Sequence, residues 1–150
     1  MSQPHRVIRQ LVVEALYESE TSDHAPREVL ERRLREEVEE TPELAEPKQQ
    51  RRALRMLDGV LEAREEADGL IAEAAPKHPV GTMAIVDRNI LRLAIWELLS
   101  GPSVSVAAVV NEAVELARRY SGEKAPAFVN GVLRTVSAQI ETARATRPGS

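Results

Sequence analysis

Residues 87–99, DRNILRLAIWELL, leave the chain few options. Ile90, Leu91, Leu93, Ala94, Ile95, Trp96, Leu98 and Leu99 are interrupted only by Arg92 and Glu97. A helix with one wet face shows an apolar stripe, whereas one apolar nearly all round belongs inside a bundle. The run is too short and too charged to cross a membrane. Asp87 falls in its first turn or at its cap, where a carboxylate suits the free N–H groups. Gly101 and Pro102 are expected to end it. Trp96 is expected in the core, and the other helices must pack around this segment.

With 150 residues, 43% apolar and 29% charged, the chain can bury a core and reads as globular. A single domain over residues 1–150 is expected, frayed at 1–4 and 143–150. Cysteine is absent, which excludes disulfides, thiolate zinc sites and a cysteine nucleophile. A net charge of −4 argues against indiscriminate nucleic-acid binding; any such site needs a local basic patch or a partner. No long apolar run opens the chain, so no secretory signal is expected, and a cytoplasmic location is.

Helical periodicity recurs along the chain. Ile8, Leu11, Val12, Ala15 and Leu16 define one face of a first helix over residues 5–18. Arg6 and Arg9 lie three apart near its start, ahead of any acidic residue, at the end of the helix dipole that favours anions. Two solvated arginines are the simpler reading and a phosphate contact the sharper one. Pro26 and Pro47 suit helix starts. Leu30, Leu34 and Val38 mark one inner face, and Leu54, Leu57 and Leu61 another.

Lys48, Arg51, Arg52 and Arg55 form the most compact basic face in the chain. Pairing with the acidic second helix is the economical reading, with an RNA surface second. Residues 75–81 form a turn. Val106, Val110, Ala113, Val114 and Ala117 make the next inner face, with Asn111 read as a buried hydrogen-bonder. A turn through Gly122 leads to Pro126 and a last helix. Gly131 lies inside that helix, where glycine costs ~1 kcal/mol relative to alanine and a close helix contact is the expected compensation. No segment alternates with period two. The expected fold is all-α, a compact bundle of about six to seven helices around a central apolar helix.

The residues point to no catalysis. His5, His24 and His78 lack ligand spacing, so no metal is expected. There is no glycine-rich phosphate loop and no nucleophile elbow, so neither a cofactor nor an enzyme is expected. Composition and pattern alone give a helical bundle that acts by binding.

The blocks DRNILRLAIWELL and VVNEAVELARRYSGEKAPAFVNGVL strongly resemble the NusB family of transcription antitermination factors. Residues 110–118 and 128–133 are the most specific parts, and HRVIRQLVVEALYE at 5–18 looks like the family's first helix. The resemblance implies an all-α, non-enzymatic protein. It implies binding to the boxA segment of ribosomal RNA transcripts together with the ribosomal protein NusE. It also implies action within the transcribing RNA polymerase complex with other Nus factors, and it allows a homodimer that covers the RNA surface. By the same resemblance Arg6, Arg9 and Phe128 are the RNA-binding candidates, and Tyr17 and Asp87 the partner-binding ones.

Three positions depart from the family pattern. Val7 stands where another arginine is common, Ala127 where lysine is, and His78 where an aromatic residue is. Two phosphates held by Arg6 and Arg9 would give a salt slope of only about −1.4 on single-stranded RNA, so the site depends on a partner. Two alternatives follow. One is a NusE-binding module with weak or no RNA binding. The other is a stand-alone relative of the NusB-like domain of rRNA cytosine methyltransferases, whose catalytic cysteine this chain lacks.

Overall fold

Proline marks the starts. The computed structural model describes residues 2–100 and 105–146, and in it Pro26 and Pro47 each open a helix. Their missing N–H groups would have no intrahelical partner in any case. The helices are α1 (Gln3–Thr21), α2 (Pro26–Glu37), α3 (Pro47–Ala74), α4 (Ile85–Ser100), α5 (Val106–Tyr120) and α6 (Ala125–Thr146). Short 3₁₀ turns cover Pro42–Ala45 and Val80–Thr82, and there is no strand among the described residues. The architecture is all-α, in line with the sequence pattern.

Both ends of the chain are more helical than expected. The Ser2 hydroxyl accepts from the His5 N–H at 3.4 Å, and Pro4 sits in the first turn, so residues 3 and 4 belong to α1. At the other end α6 runs on through Thr146. Residues 147–150 lie outside the described residues, as do Gly101 and Pro102.

The chain divides into two compact units, one ending at Glu62 and the other starting at Ala63, and α3 runs from the first into the second. In the first unit α1 packs on α2. Ile8, Val12, Leu30, Leu34, Leu44 and Leu57 are sealed from solvent there. Burial of each such side chain contributes ~1.5–3 kcal/mol. Leu61, expected inside, is 40% exposed. The buried stripe of α3 runs through Ala53, Met56, Leu57 and Val60, and Leu61 lies a further ~100° round the helix from Val60. Val38 falls at the C-cap of α2, half-buried.

In the second unit α4, α5 and α6 all contact one another. α4 is buried from Asn89 to Leu98 apart from Trp96, which is half-buried and not the sealed core residue the sequence suggests. Its two charged residues are buried instead: Arg92 is 4% exposed and Glu97 6%. Arg92 donates from Nε and Nη2 to the two oxygens of Asp68 at 2.8 and 3.0 Å, and from Nη1 to Asn89 Oδ1 at 3.3 Å. Such a two-pronged pair is what allows a guanidinium to be buried. At the far end of α4, Arg144 Nη2 donates to the Leu98 and Leu99 carbonyls at 3.0 and 3.3 Å. These carbonyls have no partner within their own helix.

Two expectations for α5 and α6 are corrected. Asn111 is exposed, because it lies one position past the buried pair Val109 and Val110. Gly131 is exposed too, and a Cβ built on it meets nothing within 4 Å. A close helix contact is therefore not what compensates this glycine.

Candidate nucleic-acid interface

α1 carries three of the candidate residues, and its helical geometry separates them. The buried side chains Val7, Ile8, Arg9, Leu11, Val12, Val13, Ala15 and Leu16 occupy most of its circumference. What remains open is a narrow strip. Arg6 and Tyr17 are eleven residues apart, about three full turns at 3.6 residues each. They therefore lie on the same strip, about 16 Å apart along the axis. Arg6 is exposed and Tyr17 is 47% exposed. No acidic residue stands in the first turn of α1.

Arg9 differs. The sequence reading places it beside Arg6 at the surface, but the structure places it on the buried face, 1% exposed. A position three residues on from Arg6 is turned by about 60°, which here is enough to cross from the open strip into the core. Of the two α1 arginines, only Arg6 is offered to solvent.

The end of α1 that holds Tyr17 is fastened to α2 by charge. Glu18 accepts from Arg32 Nη2 at 2.7 and 3.0 Å and from Arg33 Nη2 at 2.9 Å, and Glu18 Oε2 lies 2.8 Å from His24 Nδ1. Arg33 Nη1 also donates to Glu14 at 2.9 Å. The hydrogen bonds from His24, Arg32 and Arg33 hold the Glu18 carboxyl down at about 2, against an ordinary value of 4.5.

The second unit holds the other two candidates. Asp87 lies in the first turn of α4, and its Oδ1 accepts from the hydroxyl of Ser121, the C-cap of α5. Phe128 lies in the first turn of α6, half-buried. The ring of His78 meets it edge-on, with centroids 5.2 Å apart and planes at 71°. Such T-shaped pairs are favoured by the ring quadrupoles. His78, a departure from the family pattern, thus packs against Phe128.

Two open clefts meet here. One, of about 420 Å³, has Lys77, His78, Phe128 and Gly131 in its wall. The other, of about 950 Å³, is lined by Asn111, Arg118, Ser121, Glu123 and Asn130. Ala127 borders both. Asp87, through Ser121, and Phe128 therefore come to the same end of the α5–α6 pair. Ser121 and the His78–Phe128 pairing were not legible as site features. Both pairings join residues far apart in sequence, and only the departure at His78 gave a signal.

Among the described residues no three of His, Asp or Glu converge so as to hold a metal ion, and no helix is long and apolar enough to cross a membrane.

The NusB family model matches residues 6–138, which takes in α1 from Arg6 on, α2 to α5 and α6 as far as residue 138. The chain belongs to the NusB family. The transcription antitermination protein NusB of Chloroflexus aggregans is 44% identical over 137 residues, covering 90% of this chain and 87% of that protein. Among solved structures, Thermotoga maritima NusB superposes with a TM-score of 0.78 at 33% identity, over 93% of this chain and 94% of that one. A structure of the antitermination factors NusB and NusE in complex with double-stranded RNA contains a chain that matches at a TM-score of 0.72 and 28% identity. That match covers 93% of this chain and 99% of that one. The NusB likeness thus extends over both units.

Proposed function

We propose that this chain is a transcription antitermination factor that binds boxA RNA of ribosomal RNA transcripts jointly with NusE, and that it promotes processive transcription without being an enzyme. The observation that carries this reading is the open strip of α1, which offers Arg6 and Tyr17 together in a member of the NusB family. A solved NusB structure with NusE and RNA, similar in fold over nearly the whole chain, supports it.

In this reading the exposed Arg6 contacts a phosphate at the start of α1, whose first turn carries no acidic residue. Arg9 sits beneath the RNA-facing strip and fixes the first turns of α1. Phe128, held by His78, flanks the RNA, where an aromatic edge beside an open cleft can receive a base. Tyr17 and Asp87 face NusE. With Arg6 as the one exposed α1 arginine, the α1 contribution to the salt slope is about −0.7, half that of two arginines. A single exposed cation on α1 leaves the boxA site for NusE to complete. The chain acts as a single RNA-binding domain over residues 1–150 in the cytoplasm, within the transcribing RNA polymerase complex and its other Nus factors. A homodimer that covers the RNA surface belongs to the same reading as an alternative assembly.

The burial of Arg9 favours one second reading, a NusE-binding module to which RNA adds little. Transcription in vitro through a terminator placed after a boxA leader decides between them. With RNA polymerase, NusE and the other Nus factors present, adding this chain is expected to raise read-through, and scrambling boxA to abolish the gain. Equal read-through from the scrambled leader contradicts the proposal.

A further inference from the structure

Residues 47–55, PKQQRRALR, hold four cations and no carboxylate. Lys48, Arg51, Arg52 and Arg55 are spaced i, i+3, i+4 and i+7, so they share one face over the first two turns of α3, and all four are exposed. No acidic residue stands in that first turn, where the dipole already favours anions.

Neighbouring helices treat their arginines differently. On α2, Arg27 lies 3.3 Å from Glu31 and 3.9 Å from Asp58, Arg32 pairs with Glu18 and Glu36, and Arg33 with Glu14 and Glu18. On the α3 face Lys48 reaches Glu46 at 4.0 Å, and Arg52 donates to the Gln49 amide oxygen at 3.2 Å. Among the described residues no ion pair joins Arg51, Arg52 or Arg55 to α2, although α2 offers Glu28, Glu31, Glu36 and Glu37. The pairing that composition suggests is not made. Positive charge is left concentrated on one face of a chain whose net charge is −4.

We propose that this α3 face is a second RNA contact, one that grips the phosphate backbone of a single strand without reading its sequence. The proposal rests on the RNA-binding reading above. Three of the four cations are arginines, whose planar forks match phosphate oxygens better than an ammonium does. No apolar side chain lies among the four to anchor a protein partner, whereas interfaces with proteins draw most of their energy from such anchors. A backbone contact needs only the charges.

The test uses the full chain with NusE and a boxA RNA carrying uridine flanks, with binding measured across a salt series. Replacing Arg51→Ala together with Arg55→Ala is expected to flatten the slope of log K against log salt by about 1.4, at ~0.7 per phosphate. The preference for boxA over a scrambled core should be kept. Arg51→Lys with Arg55→Lys is expected to restore the slope, which separates lost charge from lost fold. An unchanged slope with boxA binding intact overturns the α3 contact and leaves the RNA reading standing. If the wild-type chain binds scrambled and boxA cores equally, the boxA reading fails, and the slope difference on the uridine flanks still decides this face. An unchanged slope on RNA with lost binding to poly-glutamate assigns the face to an acidic protein and overturns the proposal.

Discussion

Arg6 and Arg9 are chemically identical and three residues apart, yet one lies in water and the other under the surface. Their substitution should separate binding from folding. Arg6→Ala is expected to weaken RNA binding and leave the melting temperature within the small range of an exposed helix site. Arg9→Ala empties a packed position and is expected to cost of the order of 2–5 kcal/mol, as for other large buried side chains. Thermal melts of the two variants check this, and a stable Arg9→Ala protein with impaired RNA binding would reverse the assignment. Arg92 makes a second residue-scale case. Asp68→Ala leaves its guanidinium buried without its carboxylate, and should cost ~3–5 kcal/mol, read as a shifted urea midpoint. A midpoint like the wild type would mean that the Arg92–Asp68 pair does not hold α4. Trp96→Ala should cost less than the ~3–5 kcal/mol of a fully sealed tryptophan, because Trp96 is half-buried.

Element starts were legible because they are local. Pro26, Pro47 and the acidic first turn of α4 act on their own backbone, and the structure places them where that chemistry requires. The edges of buried faces were not legible. Leu61, Asn111 and Arg9 each sit within one helical step of a buried stripe, and which side they take depends on neighbours the pattern does not name. Of the candidate site, Arg6 was legible from its place near a helix start and Tyr17 only through the family resemblance, whereas the partners Ser121 and His78 come from distant segments. The α1–α2 junction carries a pH prediction. Glu18 has its folded value lowered to about 2 from 4.5. A lowered carboxylate contributes stability that is complete above its unfolded value and is lost as pH falls through its folded one. The stability difference between wild type and Glu18→Gln should therefore be constant from neutral pH down to about 4.5 and shrink between there and about 2. Urea midpoints across that range check it, and a difference unchanged at the acid end would mean the cluster does not stabilise the fold.

At the scale of the whole molecule, the governing fact is a net charge of −4 on a chain read as an RNA binder. In the first unit the exposed cations outside α2 are Arg6 on α1 and the four on α3, while Arg27, Arg32 and Arg33 of α2 are engaged with carboxylates. Such a chain has no general attraction for nucleic acid, and its affinity must come from a few contacts completed by a partner. Non-additive binding follows: each protein alone should hold boxA weakly, and the pair should hold it tightly and with sequence preference. The direct measurement is fluorescence anisotropy of labelled boxA RNA titrated with this chain, with NusE and with both, at two salt concentrations, against a scrambled RNA. The pair is expected to bind boxA far more tightly than either protein alone and more tightly than the scrambled strand. Binding by the pair no tighter than by NusE alone would contradict joint binding.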